Sequence, residues 1–419
     1  MKKYFTRIVD KEIKLALESM GAVLIEGPKW CGKTTTALQH CKSVLRMQEP
    51  ANMVNNLLIA DTAPSLLLDG EKPRLIDEWQ TAPILWDVVR SDVDNTGKMG
   101  QYILTGSSTP LLGSTMHTGT GRIARIKMYP MSLFESQDSS GLVSLKSLFE
   151  NNVYSPVNSS KTIEDIAYLV CRGGWPQSIN SPIEQALYTV NQYVKSVYNN
   201  DINELGDMKT DSHRVESFLK SYSRNVQTLT SYTTILEDMR ANDIGITAPT
   251  LYSYMEKMQK LFVIEETQAW APNIRSKTSI RTSNKRGFVD PSIPVSVLNI
   301  TPSKLLKDFE LFGFLFESLC IRDLRIYAGS MNGRVLHYRD DSGLECDAVI
   351  LLPSGEYGLI EIKLGGKLEE KAAENLNKLE KLLESKNSKP TFKMILTGGS
   401  LGYTRKDGIH VLPITCLKD

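Results

Sequence analysis

The segment GPKWCGKT at residues 27–34 constrains this chain more than any other. It follows a short apolar run, AVLIE at 22–26, and precedes TTTALQHC, so it falls between an expected strand and an expected helix. A glycine turn in that place points successive backbone N–H groups at a helix N-terminus, where they can surround a phosphate. The pattern GxxxxGK[ST] adds a lysine for the β and γ phosphates and a hydroxyl for a magnesium ion. Here Lys33 and Thr34 fill those roles. Gly27, Pro28, Lys29, Trp30, Cys31 and Gly32 form the cradle, and Thr35 can bond the α-phosphate. The expected ligands are ATP and magnesium.

Two later runs supply what hydrolysis needs. RLIDEWQ at 74–80 is an apolar strand ending in Asp77 and Glu78, so Asp77 can hold the magnesium shell and Glu78 can polarise an attacking water. QYILTGSS at 101–108 ends in Thr105, Ser107 and Ser108, hydroxyls able to sense the γ-phosphate or orient water. Arg122, after Gly121, could stabilise transition-state charge from its own subunit or a neighbour, or form a surface salt bridge. Trp30 could stack on a base or a neighbouring chain, or pack beside the loop; Cys31 has no base to activate it. A further strand is expected near 54–60. The unbroken apolar runs suit parallel strands buried on both faces, and residues 1–138 read as one α/β unit.

Length and composition bound the rest. At roughly 150 residues per domain, 419 residues imply about three domains. Lys and Arg total 49 against 48 Asp and Glu, which excludes a uniformly basic nucleic-acid coat and leaves local patches open. Six scattered cysteines without a CxxC pair oppose a zinc ribbon or a disulfide framework. The opening MKKYFTRIVD has no apolar stretch behind its lysines, and no run reaches the roughly 18 residues of a spanning helix. The expectation is a cytoplasmic protein with no membrane partner.

Residues 139–205 read as a Ser/Asn-rich mobile connection with some local structure, to about residue 160, followed by a helical lid, its helices at 162–172 and 182–199 interrupted by RGGWPQ. Residues 206–304 hold three helical stretches and the strand-like LFVIEET, an order that suits a winged helix or a structural linker. The run 273–287 contains Arg275, Lys277, Arg281, Lys285 and Arg286 and no acid, hence an expected exposed loop that could meet DNA phosphates. Residues 305–419 show a helix, three strands near 334–339, 344–352 and 357–364, a helix at 367–385 and a strand at TFKMILTG. A hairpin centred on Ser354 places Asp347 opposite Glu361, with Glu361 and Lys363 on one face. That trio, with Glu317 as a fourth member, suits metal-assisted phosphodiester hydrolysis or a salt-bridged face without metal. His337 beside Tyr338 and Arg339 could face DNA or be structural, and His40, His117, His213 and His410 have no zinc spacing.

These pieces together resemble bacterial and archaeal ATPases whose AAA-type core is followed by the region called DUF4143. The resemblance rests on GPKWCGKTTT, RLIDEWQTAP, VDNTGKMGQYILTGSS, GRIARIKMYPMSLFE, RGGWP, YRDDSGLECDAVI and LIEIKLG. It implies Walker A, Walker B and sensor 1 motifs, an arginine at the position of Arg122, a helical lid, a winged-helix segment and a restriction-endonuclease-like last domain. That family usually carries smaller or polar residues where Trp30 and Cys31 stand. The implied fold class is α/β, a P-loop NTPase core with these additions. The implied function is a magnesium-dependent ATPase coupling nucleotide state to the other modules. The alternatives are a DNA-binding regulator or metal-dependent nuclease with ATP as conformational ligand, and a scaffold whose pockets are remnants. A partner protein or a homo-oligomer sharing an arginine finger would also fit.

Overall fold

The computed structural model describes residues 4–107, 118–150, 154–205, 210–241, 243, 245–272 and 283–419. Ser108, His117, Arg275, Lys277 and Arg281 lie outside them. The chain forms two compact units. The first contains residues up to 130 with 201–205 and 257–262, and the second contains 131–200, 210–256 and 263–419 among the described residues.

The first unit is built on five strands, β1 (Ala22–Glu26), β2 (Ser43–Arg46), β3 (Arg74–Asp77), β4 (Tyr102–Gly106) and β5 (Ile123–Lys127). Their order is β2-β3-β4-β1-β5, and every pairing is parallel. Successive residues of each strand point to opposite faces. Leu24, Ile76 and Leu104 therefore pack with Trp79, Trp86 and Val89 on one side. Val23, Ile25, Leu75 and Ile103 pack with Ile13 and Ala37 on the other. Burial on both faces is why the runs read as continuous. The expected strand near 54–60 is instead the helix Met53–Thr62, and the sheet takes Ser43–Arg46. A short apolar run does not by its spacing distinguish the two states; here Val54 and Leu58 stay exposed, one helical turn apart.

The second unit carries the helices Ile163–Arg172, Ile183–Asn199, Ser212–Arg224, Tyr232–Arg240, Ser292–Val297 and Phe309–Gly329. Its strands are β6 (Val143–Ser144), β7 (Val157–Asn158), β8 (Arg334–Arg339), β9 (Glu345–Leu351), β10 (Tyr357–Lys363), β11 (Phe392–Thr397), β12 (Leu401–Thr404), β13 (His410–Pro413) and β14 (Leu417–Lys418). Seven form a sheet in the order β7-β12-β13-β11-β10-β9-β8. Helix Glu369–Glu384 lays Leu376, Leu379 and Leu383 against Val349, Leu359 and Ile395. Helix Phe309–Gly329 is buried for most of its length, with the charged Glu317, Arg322 and Asp323 buried alongside its apolar residues.

Two boundaries differ from those expected. Residues 131–138 belong to the second unit, because the Leu133 backbone N–H donates to Asp323 Oδ2 at 2.9 Å and that of Met131 to the Gly174 carbonyl at 2.7 Å. The stretch 139–160 carries local structure where described. It contributes β6, paired with β14, and β7, paired with β12. Its serines close these contacts: Ser139 Oγ donates to Leu417 O, and Ser159 Oγ shares a hydrogen bond with Thr415 Oγ1. RGGWP is held the same way. A Cβ on Gly173 (φ +71°) would fall 2.4 Å from Asp290 Oδ1, Gly174 N donates to Asp290 Oδ2, and Trp175 Nε1 donates to Ser292 Oγ. No helix of the described residues is long and apolar enough to cross a membrane.

Candidate nucleotide site and carboxylate cluster

The parallel register brings the motifs of the first unit to one edge. β1 ends where Glu26 pairs with Gly106, and β3 ends where Asp77 pairs with Thr105. Gly27 turns away with φ +154°, and a Cβ there would sit 2.1 Å from the Met128 carbonyl oxygen, so the loop passes where only glycine fits. Trp30 and Gly32 follow with φ +68° and +102° before helix Lys33–Ala37 begins. Lys33 is buried, and its ammonium donates to the carbonyls of Gly27 at 2.9 Å and Pro28 at 2.8 Å. Trp30 is half-exposed and Cys31 is buried.

Thr34 and Asp77, 43 positions apart, are in contact: Thr34 Oγ1 donates to Asp77 Oδ1 at 2.7 Å, and Thr105 Oγ1 donates to the same oxygen at 2.6 Å. This hydroxyl and carboxylate form an oxygen donor set that fits magnesium. Glu78 adopts φ +55° as the chain leaves β3 for the short turn Trp79–Thr81. Its Oε2 accepts from Gln80 Nε2 and from Ser107 Oγ at 3.3 Å. Thr35 is exposed.

Lys29 and Arg122 stand apart from this group. The Lys29 ammonium donates to Asp201 Oδ1 at 2.8 Å and lies 3.4 Å from Glu204 Oε2. Arg122 precedes β5, whose first residue pairs with Ala22, so it lies at the opposite edge of the sheet from Gly27. A five-residue strand separates those edges by about 13 Å. Arg122 is engaged with Asp94, Nε to Oδ1 at 2.7 Å, which is the surface salt bridge. It does not meet the phosphate loop of its own subunit.

Arg7 gave no signal in the sequence. It is buried, and its guanidinium donates to the carbonyls of Cys31 at 2.9 Å and Tyr129 at 2.8 Å. Asp10 joins this brace by accepting from Arg7 N, Tyr4 OH and His40 Nε2. Arg7 lies 24 positions from Cys31 and 122 from Tyr129, a separation that no local pattern spans.

In the second unit the hairpin register is the expected one, running from Tyr357 opposite Leu351 to Ile360 opposite Ala348. Asp347 Oδ2 accepts from Ile362 N at 2.9 Å and from Lys363 Nζ at 2.8 Å, and Lys363 Nζ lies 2.6 Å from Glu361 Oε2. Glu317 joins through a residue the exposed-loop reading misplaced. Lys285 is buried, 2.7 Å from Glu317 Oε1 and 3.2 Å from Asp347 Oδ1. Its neighbour Arg286 is buried against Glu266. Neither is free for phosphates. The described part of the basic run is turned inward because carboxylates wait there.

Three carboxyl groups face two ammoniums, so full ionisation would leave an excess negative charge. Burial and the neighbouring Asp347 push the Glu361 carboxyl up to about 8, against the pull of Lys363. Burial likewise raises Glu317 to about 7. Asp347 is held well below the usual carboxylate range, because Lys285 and Lys363 outweigh its burial. His337 is fully buried, with Nε2 3.1 Å from the Ser283 carbonyl, and burial and Lys285 lower it to about 4. Among the described residues, no group of three or more His, Cys, Asp or Glu side chains is placed to hold a metal ion.

The all-parallel sheet and its glycine loop, lysine and acid-tipped strands define a P-loop ATP-binding domain of the AAA type. Residues 19–137 match the AAA domain family and 312–417 match a domain of unknown function, DUF4143, so the chain is an AAA-type ATP-binding protein with a DUF4143 region. Residues 163–304 match a second domain of unknown function, DUF8612. The uncharacterized proteins Rv2008c of Mycobacterium tuberculosis and Mb2031c of Mycobacterium bovis are each 25% identical over 358 residues, 84% of this chain and 72% of theirs. Among solved structures, the Walker-type ATPase PABY2304 of Pyrococcus abyssi aligns with TM-score 0.44 and 16% identity, over 70% of this chain and 96% of that one. The STAND protein PH0952 of Pyrococcus horikoshii aligns with TM-score 0.27 and 16% identity, over 78% and 48%.

Proposed function

We propose that this protein is a magnesium-dependent ATPase that hydrolyses ATP to ADP and phosphate and couples nucleotide state to its other modules. The observation that carries the reading is the meeting of Thr34 and Asp77 at 2.7 Å, beside the glycine loop. Thr34 and Asp77 would hold the magnesium ion, which supplies charge neutralisation for the phosphates when bound. Lys33 would exchange its two loop carbonyls for β and γ phosphate oxygens. Glu78 is the group that would polarise the attacking water, with Ser107 restraining its carboxylate and Thr105 restraining Asp77. The edge-to-edge separation of Arg122 supports a role for it only towards a neighbouring subunit.

A second reading, a DNA-binding regulator with ATP as conformational ligand, draws on the region 206–304. Helices Ser212–Arg224, Tyr232–Arg240 and Ala248–Lys260 precede antiparallel bridges of Ile264 with Phe288 and Thr267 with Lys285, an order that suits a winged helix. The two readings separate in one experiment, phosphate release from ATP by the purified chain with magnesium, with and without duplex DNA. Turnover without DNA that Lys33→Ala removes supports the ATPase. ATP binding without turnover in either condition, alongside salt-dependent DNA binding, supports the regulator.

A further inference from the structure

The restriction-endonuclease-like reading of β9 and β10 asks for a divalent metal at Asp347 and Glu361, and the residues present do not fit one. Both Asp347 oxygens are already taken by N–H donors, Oδ1 by Lys285 and Oδ2 by Lys363 and Ile362. Glu317 Oε1 receives Lys285, and Glu361 Oε2 receives Lys363. A magnesium ion requires oxygens at about 2.0–2.1 Å in near-octahedral array. Here both oxygens of Asp347 and one oxygen each of Glu317 and Glu361 are already directed to ammonium groups, and a dication would be repelled by the Lys285 charge beside it.

Lys285 is not a loose surface tail that has fallen into the cluster. Its backbone N–H donates to Thr267 O and its carbonyl accepts from Thr267 N, both at 3.0 Å. The next residue is fixed by Glu266 and by the Thr230 carbonyl, which accepts from Arg286 Nε. The ammonium thus comes from an anchored segment and touches carboxylates on two separate elements, helix Phe309–Gly329 and strand β9. Bridging two carboxylates from different elements is the structural work of a metal ion in such a site.

We infer that Lys285 is a tethered cation that takes the place of the divalent metal in this cluster, so that the DUF4143 domain is assembled without metal and does not cleave phosphodiester bonds. The inference rests on the endonuclease-like reading of the cluster and is independent of ATP hydrolysis by the first unit.

The test uses the full chain, stripped with chelator and free of nucleotide, titrated with Mn2+ by calorimetry and by electron paramagnetic resonance. Wild type is expected to show no saturable Mn2+ site that depends on Asp347, no shift in melting temperature with Mn2+, and no nicking of supercoiled plasmid above the buffer control. Lys285→Met, which keeps length and removes charge, is expected to melt lower without metal, to gain one Mn2+ site and to recover melting temperature as that site fills. Adding Asp347→Asn should abolish the gained site. Should Lys285→Met fail to fold, Lys285→Arg keeps the charge and should match wild type in every readout, while wild type against Asp347→Asn still decides whether a metal is held. An Mn2+ site in wild type that Asp347→Asn removes and Asp77→Asn leaves, Asp347-dependent nicking, or a folded Lys285→Met that binds no Mn2+ would each overturn the inference.

Discussion

Replacing Glu78 by glutamine separates binding from chemistry at the proposed ATPase site. The Oε2 of Glu78 is held by Ser107 and Gln80, whereas Thr34 donates to Asp77. Glutamine is nearly isosteric and can still accept from Ser107, so the loop, Lys33 and the magnesium donors should stay in place. What is lost is the negative charge that polarises water. A positioned general base contributes roughly 10²–10⁴ in rate, equivalent to about 2.7–5.4 kcal/mol of activation free energy. Single-turnover hydrolysis of magnesium-ATP should slow by that factor, while equilibrium affinity for ATP, measured by competition with a fluorescent analogue, changes by less than about threefold. Hydrolysis within about threefold of wild type would refute the role of Glu78, and a parallel loss of affinity would place Glu78 in binding instead.

Gly27→Ala forces a Cβ to within 2.1 Å of the Met128 carbonyl at a backbone angle that suits glycine. Strain of that kind costs on the order of 1–3 kcal/mol, so urea denaturation should show a less stable protein and ATP affinity should fall with it; unchanged stability would mean the loop relaxes freely. His337 gives a pH prediction. The unfolded chain takes up its proton near pH 6.5, whereas burial and Lys285 delay uptake in the folded state to about 4. At this residue the unfolded state therefore binds more protons between those values, so the His337 contribution to stability falls as pH drops through them, by on the order of 3 kcal/mol in full, while the raised carboxyls of Glu317 and Glu361 act in the opposite direction. His337→Gln removes the histidine's share alone, so its stability relative to wild type should rise as denaturation is followed from pH 7.5 to 4.5, and parallel curves would refute it.

What the sequence made legible was local. The strand, loop and helix around residues 22–37 follow from an apolar run and its glycines, and the Asp347 hairpin follows from one turn, because a fixed turn propagates its register along both strands. Helix Met53–Thr62 was misread because a short apolar run has no decisive period. The inward turn of Lys285 and Arg286 was hidden because five basic residues with no acid among them look solvated until the carboxylates that receive two of them are placed in space. Residues 139–160 looked like a connection because serine is common in loops; their hydroxyls instead close contacts with a chain end more than 250 positions away.

The brace formed by Arg7 has a practical consequence. The AAA family match begins at residue 19, so trimming the gene to that border would look safe on paper. Such a truncation would strip the guanidinium from the buried Cys31 carbonyl and the half-buried Tyr129 carbonyl. A fragment meant to isolate nucleotide chemistry should therefore begin ahead of Tyr4, since a shorter one would arrive with its phosphate cradle already unmoored.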